Sequence, residues 1–107
     1  MKEQEAISAL GALAQEDRLA AFRLLISEGP DGLLSGRIAE RLDIRPTRMS
    51  FHLTTLERAG LLTAHREGRH IRYAVDLGRM NGLLSFLMED CCGGNPAVCR
   101  LSVPKST

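Results

Sequence analysis

Long apolar runs are missing from this chain, and so is tryptophan. No stretch approaches the ~20 apolar residues that a membrane-spanning helix needs, which excludes a bilayer-crossing protein of that kind. The opening residues, Met1-Lys2-Glu3-Gln4-Glu5, carry acids where a secretory signal carries its apolar segment. Cysteine is scarce as well. There are three, an odd number, and all fall between positions 91 and 99. That is unlike the framework of a secreted, disulfide-stapled domain and points to the cytoplasm with reduced thiols. Internal repeats and low-complexity tracts are absent. So are a phosphate-binding glycine loop and any nucleophile paired with a base in the sequence. No enzyme is expected.

The 107 residues suffice for one domain. A monomer of this length buries a modest share of its surface, so a core shared between two subunits would help it. Net charge is only +1, but it is unevenly spread. Positions 35–75 hold eight arginines (37, 41, 45, 48, 58, 66, 69, 72) against four acids (Glu40, Asp43, Glu57, Glu67), a net of +4. The flanks are therefore acidic. Positive charge gathered in one segment is the footprint of a phosphate-binding surface. A solvated arginine-rich face has the same count, and charge alone does not separate the two.

Periodicity sets the elements. Ile7, Leu10, Leu13 and Ala14 fall at helical spacing over 3–14. Leu19, Phe22, Leu24, Leu25 and Ile26 suit a buried helix over 17–26. Gly29-Pro30-Asp31-Gly32 reads as a loop. Ser35 is the expected N-cap of a short helix to Leu42, with Ile38, Ala39 and Leu42 on its inner face. Asp43-Ile44-Arg45 is a tight connection. Pro46 then opens a helix to about Ala59, which Gly60 ends. Beyond Gly60 the period becomes two. Residues 61–66 and 69–75 read as a hairpin around Glu67-Gly68, with Ile71, Tyr73 and Val75 on one face. A last helix is expected over about 78–90, where Met80, Leu83, Leu84, Leu87 and Met88 form an apolar stripe, and Gly93-Gly94 follows it. The expected class is mainly α with a small β-hairpin. In order α-α-α-α-β-β-α this is a winged helix-turn-helix domain over 1–90, followed by a polar tail over 91–107 that carries the cysteines.

The helix at 46–59 would seat Met49, Leu53 and Leu56 in the core and leave short hydroxylated and basic residues outside. That pattern suits a helix in a DNA major groove, where Arg bonds guanine edges and Ser or Thr bonds bases or phosphates. The N-terminal part of such a helix meets the bases, which selects Arg45, Thr47, Arg48 and Ser50. Phe51 and Thr54 project alongside. His52 is read either as a phosphate contact or as a hydrogen-bonded boundary residue. Arg66 and Arg69 at the hairpin tip, with Arg72 on the return strand, suit a narrow minor groove; the alternative is a solvated turn.

Three stretches together resemble the ArsR/SmtB family of metal-responsive repressors. They are Arg37-Ile-Ala-Glu-Arg-Leu42, then Thr47-Arg-Met-Ser-Phe-His52-Leu-Thr-Thr-Leu56-Glu-Arg-Ala-Gly60-Leu-Leu62, then Arg66-Glu-Gly-Arg-His-Ile-Arg72-Tyr73. Leu13-Ala-Gln-Glu-Asp-Arg18-Leu19 is similar to that family's leucine-alanine-aspartate-proline-threonine-arginine-leucine stretch, with Gln15, Glu16 and Asp17 departing from it. The likeness covers about residues 10–76. It implies a homodimer joined through the first and last helices, and a repressor that leaves double-stranded operator DNA when an inducer binds.

The same resemblance bears on the ligand. Arsenite-sensing members carry Cys-Val-Cys-Asp where this chain has Leu34-Ser35-Gly36-Arg37, so that site does not exist here. A second family site uses Asp and His on the last helix. Here that helix has no His, and its only acids are Glu89 and Asp90. Cys91, Cys92 and Cys99 remain. As(III) and Sb(III) are soft and take three sulfur ligands, whereas structural zinc usually takes four ligands. The cluster also resembles that of an ArsR subset whose arsenite site is built from C-terminal cysteines. A trivalent metalloid inducer, with no intrinsic cofactor, is therefore expected. A thiol redox switch, a Cd(II) or Pb(II) site and incidental cysteines stay open. So does a winged helix used for protein contact.

Overall fold

Alanine rather than leucine packs the first helix. In the computed structural model, which describes residues 1–92 with side chains through Met88, α1 (Glu3–Leu13) turns Ala6, Ala9 and Ala12 inward. Ile7 and Leu10 are left 54% and 42% exposed. Both fit a helix, as expected, but neither joins the subunit's core. α2 (Glu16–Glu28) begins on Gln15, whose side chain accepts the Arg18 backbone N–H at 2.9 Å. Glu16 and Asp17 occupy its first turn, where the helix dipole favours acids. It buries Ala21, Phe22 and Leu25, while Leu19 and Ile26 face outward.

A two-residue strand, β1 (Leu33–Leu34), follows the loop and was not expected from periodicity. Two residues are too few to show a period. Its position depends on Gly32, at φ 63°, where an added Cβ would collide with the Tyr73 carbonyl oxygen. α3 (Ser35–Leu42) starts one residue earlier than expected. Leu34 occupies the cap position and makes no side-chain capping bond, and Ser35 is already helical. Asp43 takes the left-handed conformation at φ 54°, and Ile44 N–H donates to the Ala39 carbonyl at 2.9 Å. This is the tight turn into α4 (Pro46–Arg58).

The hairpin consists of β2 (Leu62–Glu67) and β3 (His70–Val75), paired antiparallel from Leu62↔Val75 to Glu67↔His70. Gly68, at φ 63°, is the first of its two loop residues, the place where a type II′ turn requires glycine. The sheet order is β1-β3-β2. Tyr73 and Val75 are buried and Ile71 is half-buried, as the alternation predicts.

α5 (Leu77–Cys92) runs two residues past the expected end, so Cys91 and Cys92 belong to its last turn. Asp76 caps it by accepting the Arg79 N–H at 3.1 Å, and Arg79 pairs with Glu5 of α1 at 3.5 Å. Leu83 is buried, and Met80, Phe86 and Leu87 pack partly against the core. The centre of that core is Leu25, Ile38, Met49, Leu53, Leu56 and Leu61, each essentially sealed from solvent. Truncating one such leucine to alanine typically costs ~2–5 kcal/mol. No helix among the described residues is long and apolar enough to cross a membrane.

Candidate nucleic-acid interface

α4 is seated by one face and presents the other. Met49, Leu53 and Leu56 are fully buried, as the i, i+4, i+7 spacing predicts. Thr47, Arg48 and Ser50 are exposed, with Arg45 just ahead of the helix. Phe51 is 66% exposed, a large apolar side chain set among polar ones. An aromatic ring in that position can meet a thymine methyl group. Thr54 and Thr55 are half-buried, and their hydroxyls donate to the Ser50 and Phe51 carbonyls at 2.9 and 3.1 Å. Those protons are therefore engaged with the helix itself.

His52 points the other way. It is 8% exposed, which fits a hydrogen-bonded boundary residue better than a phosphate contact. Its position three residues after Met49 puts it on the buried face. Arg18 Nη1 lies 3.3 Å from His52 Nδ1. A guanidinium only donates, so Nδ1 accepts and the ring proton sits on Nε2, 3.5 Å from Asp17 Oδ2. Burial holds His52 below its ordinary pKa; Asp17 opposes that shift, while Arg18 and Arg48 add to it. Arg18 is fixed in turn by a bond from Nε to the Ala12 carbonyl at 2.6 Å.

Arg48 is not free-standing. Its Nε and Nη2 both donate to Asp17 Oδ2, at 3.1 and 2.8 Å. Asp17, Arg18, Arg48 and His52 thus link the end of α1, the start of α2 and the exposed edge of α4. Asp17 and Arg18, which the sequence pattern did not single out, complete this cluster. The signal was present in the stretch where Gln15, Glu16 and Asp17 depart from the family pattern.

On the wing, Arg66 and Arg69 are exposed at the tip. Arg72 is otherwise engaged. It sits on the sheet face opposite Tyr73, donates from Nε to Glu67 at 2.7 Å, and reaches the Asp31 carbonyl at 3.3 Å. The same bond holds the Glu67 carboxyl below its usual pKa and raises that of Arg72. Arg72 therefore braces the hairpin against the loop before β1, whereas Arg66 and Arg69 extend from the tip. Among the described residues no cluster of three His, Cys, Asp or Glu is placed to hold a metal. The side chains of Cys91 and Cys92, and all of Cys99, lie outside the described residues.

A short helix, a three-residue turn, an exposed-faced second helix and a basic hairpin beside it define a winged helix-turn-helix transcription regulator. Comparisons with known proteins agree. The helix-turn-helix domain family matches residues 13–65. The transcriptional activator HlyU of Vibrio cholerae is 26% identical over 91 residues, 85% of this chain and 82% of HlyU. A structure of reduced HlyU superposes with a TM-score of 0.63 at 26% identity, covering 83% and 90% of the two chains. An ArsR-like transcriptional regulator from Rhodococcus sp. RHA1 shares the fold, with a TM-score of 0.74 at 23% identity over 92% and 90%. The homodimeric winged helix-turn-helix DNA-binding domain of Mb0332 from Mycobacterium bovis, a possible ArsR-family regulator, gives 0.63 at 26% identity over 86% of each chain. The chain is thus similar to winged-helix transcriptional regulators of the ArsR type, in its helix-turn-helix segment and in its fold.

Proposed function

We propose that this regulator binds operator DNA as a homodimer and releases it when As(III) or Sb(III) is captured by Cys91, Cys92 and Cys99. The observation that carries the DNA reading is the division of α4. Three fully buried anchors hold the helix, Arg48, Thr47, Ser50 and Phe51 stand on its exposed side, and the arginines at the wing tip are exposed too. Dimerisation through α1 and α5 is supported by the outward Ile7 and Leu10, two large apolar side chains that the subunit does not cover, and by the homodimeric state of Mb0332. Two recognition helices about 34 Å apart then reach successive major grooves.

The inducer reading rests on thiol chemistry. Three thiolates match the coordination of a trivalent metalloid. α5 ends on the first two cysteines, so a ligand there would act on the helix assigned to the dimer contact. Coupling of ~1–3 kcal/mol between ligand and DNA would lower operator affinity about 5- to 150-fold. A redox switch on the same thiols is the second reading, favoured by the likeness to HlyU, a relative solved in a reduced form. Operator binding titrated with arsenite, with Cd(II) or Pb(II), and with a mild oxidant separates the three. The metalloid reading expects arsenite to release DNA from the reduced protein. Release by oxidant alone would replace it with the redox reading.

A further inference from the structure

We propose that Asp17 is a positioning residue for sequence readout: it aims the Arg48 guanidinium so that its outer end meets a guanine edge. This rests on the DNA-binding reading above. Arg48 spends Nε–H and one Nη2–H on a single oxygen of Asp17. The second Nη2–H and both Nη1–H groups remain, and they form the end-on pair of donors that matches O6 and N7 of guanine. Asp17 is well placed to hold that fork. It lies in the first turn of a different helix, its side chain is 17% exposed, and His52 Nε2 approaches the same oxygen at 3.5 Å. The Arg48 side chain is 58% exposed. The Arg48 end of the pair is open to solvent, where an ion pair adds little to folding, and this leaves placement of the guanidinium as its role. What the pair does is remove the freedom of a long side chain before DNA arrives.

A carboxylate near DNA repels phosphate. Asp17 therefore lowers affinity for DNA of any sequence while sharpening the choice of one base, and these opposite effects set it apart from a merely structural residue. The test is selection from a randomised duplex pool with the full chain, its Asp17→Asn and Asp17→Thr variants, and Arg48→Ala, alongside their melting temperatures. Arg48→Ala should erase a guanine preference at one position of each half-site. The Asp17 variants should keep the rest of the site and weaken that guanine preference on the order of tenfold. Their affinity for random-sequence DNA should be equal to or above that of the parent. If Asp17→Asn does not fold, Asp17→Thr carries the test. Asp17 variants that select the same guanine as strongly as the parent would overturn the proposal. So would equal loss of specific and random-sequence binding. A parent protein that binds no DNA removes the underlying reading as well, an outcome distinct from an unchanged guanine preference.

Discussion

Arg48 and His52 are four residues apart on α4 and have opposite roles. Arg48 is the exposed cation, and Arg48→Ala should cost operator affinity ~1–3 kcal/mol, read by fluorescence anisotropy, whatever the inducer. Unaltered affinity would remove it from the interface. His52 is the buried neutral ring. Protonation would put a second N–H against Arg18, and burial already lowers its pKa. The unfolded chain takes up that proton near the ordinary value of 6.5, while the folded chain resists until a lower pH. Stability is thus unaffected by this group above pH 6.5 and falls as the pH drops from there toward the folded value. Urea unfolding at pH 7.5 and 5.5 checks this: the loss on acidification should be smaller in His52→Gln than in the parent. An equal loss would mean that His52 is not the group responsible.

At the scale of elements, the wing is braced at its base and free at its tip. Arg66→Ala or Arg69→Ala should each reduce the salt slope of DNA binding by about one, if that residue meets a phosphate. Arg72→Ala should instead loosen the hairpin and lower the melting temperature. Gly32→Ala should destabilise by more than ~1 kcal/mol, because a positive φ and the Tyr73 carbonyl both oppose a side chain there. Elements with a strong period were legible in the sequence. The buried anchors of α4 and the buried face of β3 follow from spacing alone. β1 was not legible, because its two residues are defined by their partners, Tyr73 and Arg72, some forty positions away. The inward face of α1 was not legible either. Leucine and isoleucine dominate a hydrophobic pattern, yet close approach to α2 and α4 selected the alanines. At the site, the exposed face of α4 was readable. The acid that holds Arg48 was not, since Asp17 lies 31 residues away on another helix.

For the whole molecule, the account joins a dimer, an operator and a thiol site. Replacing Ile7 and Leu10 together with glutamate should give a monomer by light scattering and weaken operator binding strongly, because each half-site then binds alone. A dimer that survives both charges would move the interface elsewhere. Cys91→Ser, Cys92→Ser and Cys99→Ser should each blunt the arsenite response while leaving DNA affinity nearly unchanged. The most direct measurement is binding of the reduced protein to the DNA upstream of its own gene, followed by anisotropy with and without arsenite. The account expects tight, salt-sensitive binding that arsenite abolishes and that returns when a competing dithiol removes the metalloid. Tight binding indifferent to arsenite would contradict the proposed inducer, and absence of binding even at low salt would contradict the DNA-binding claim itself.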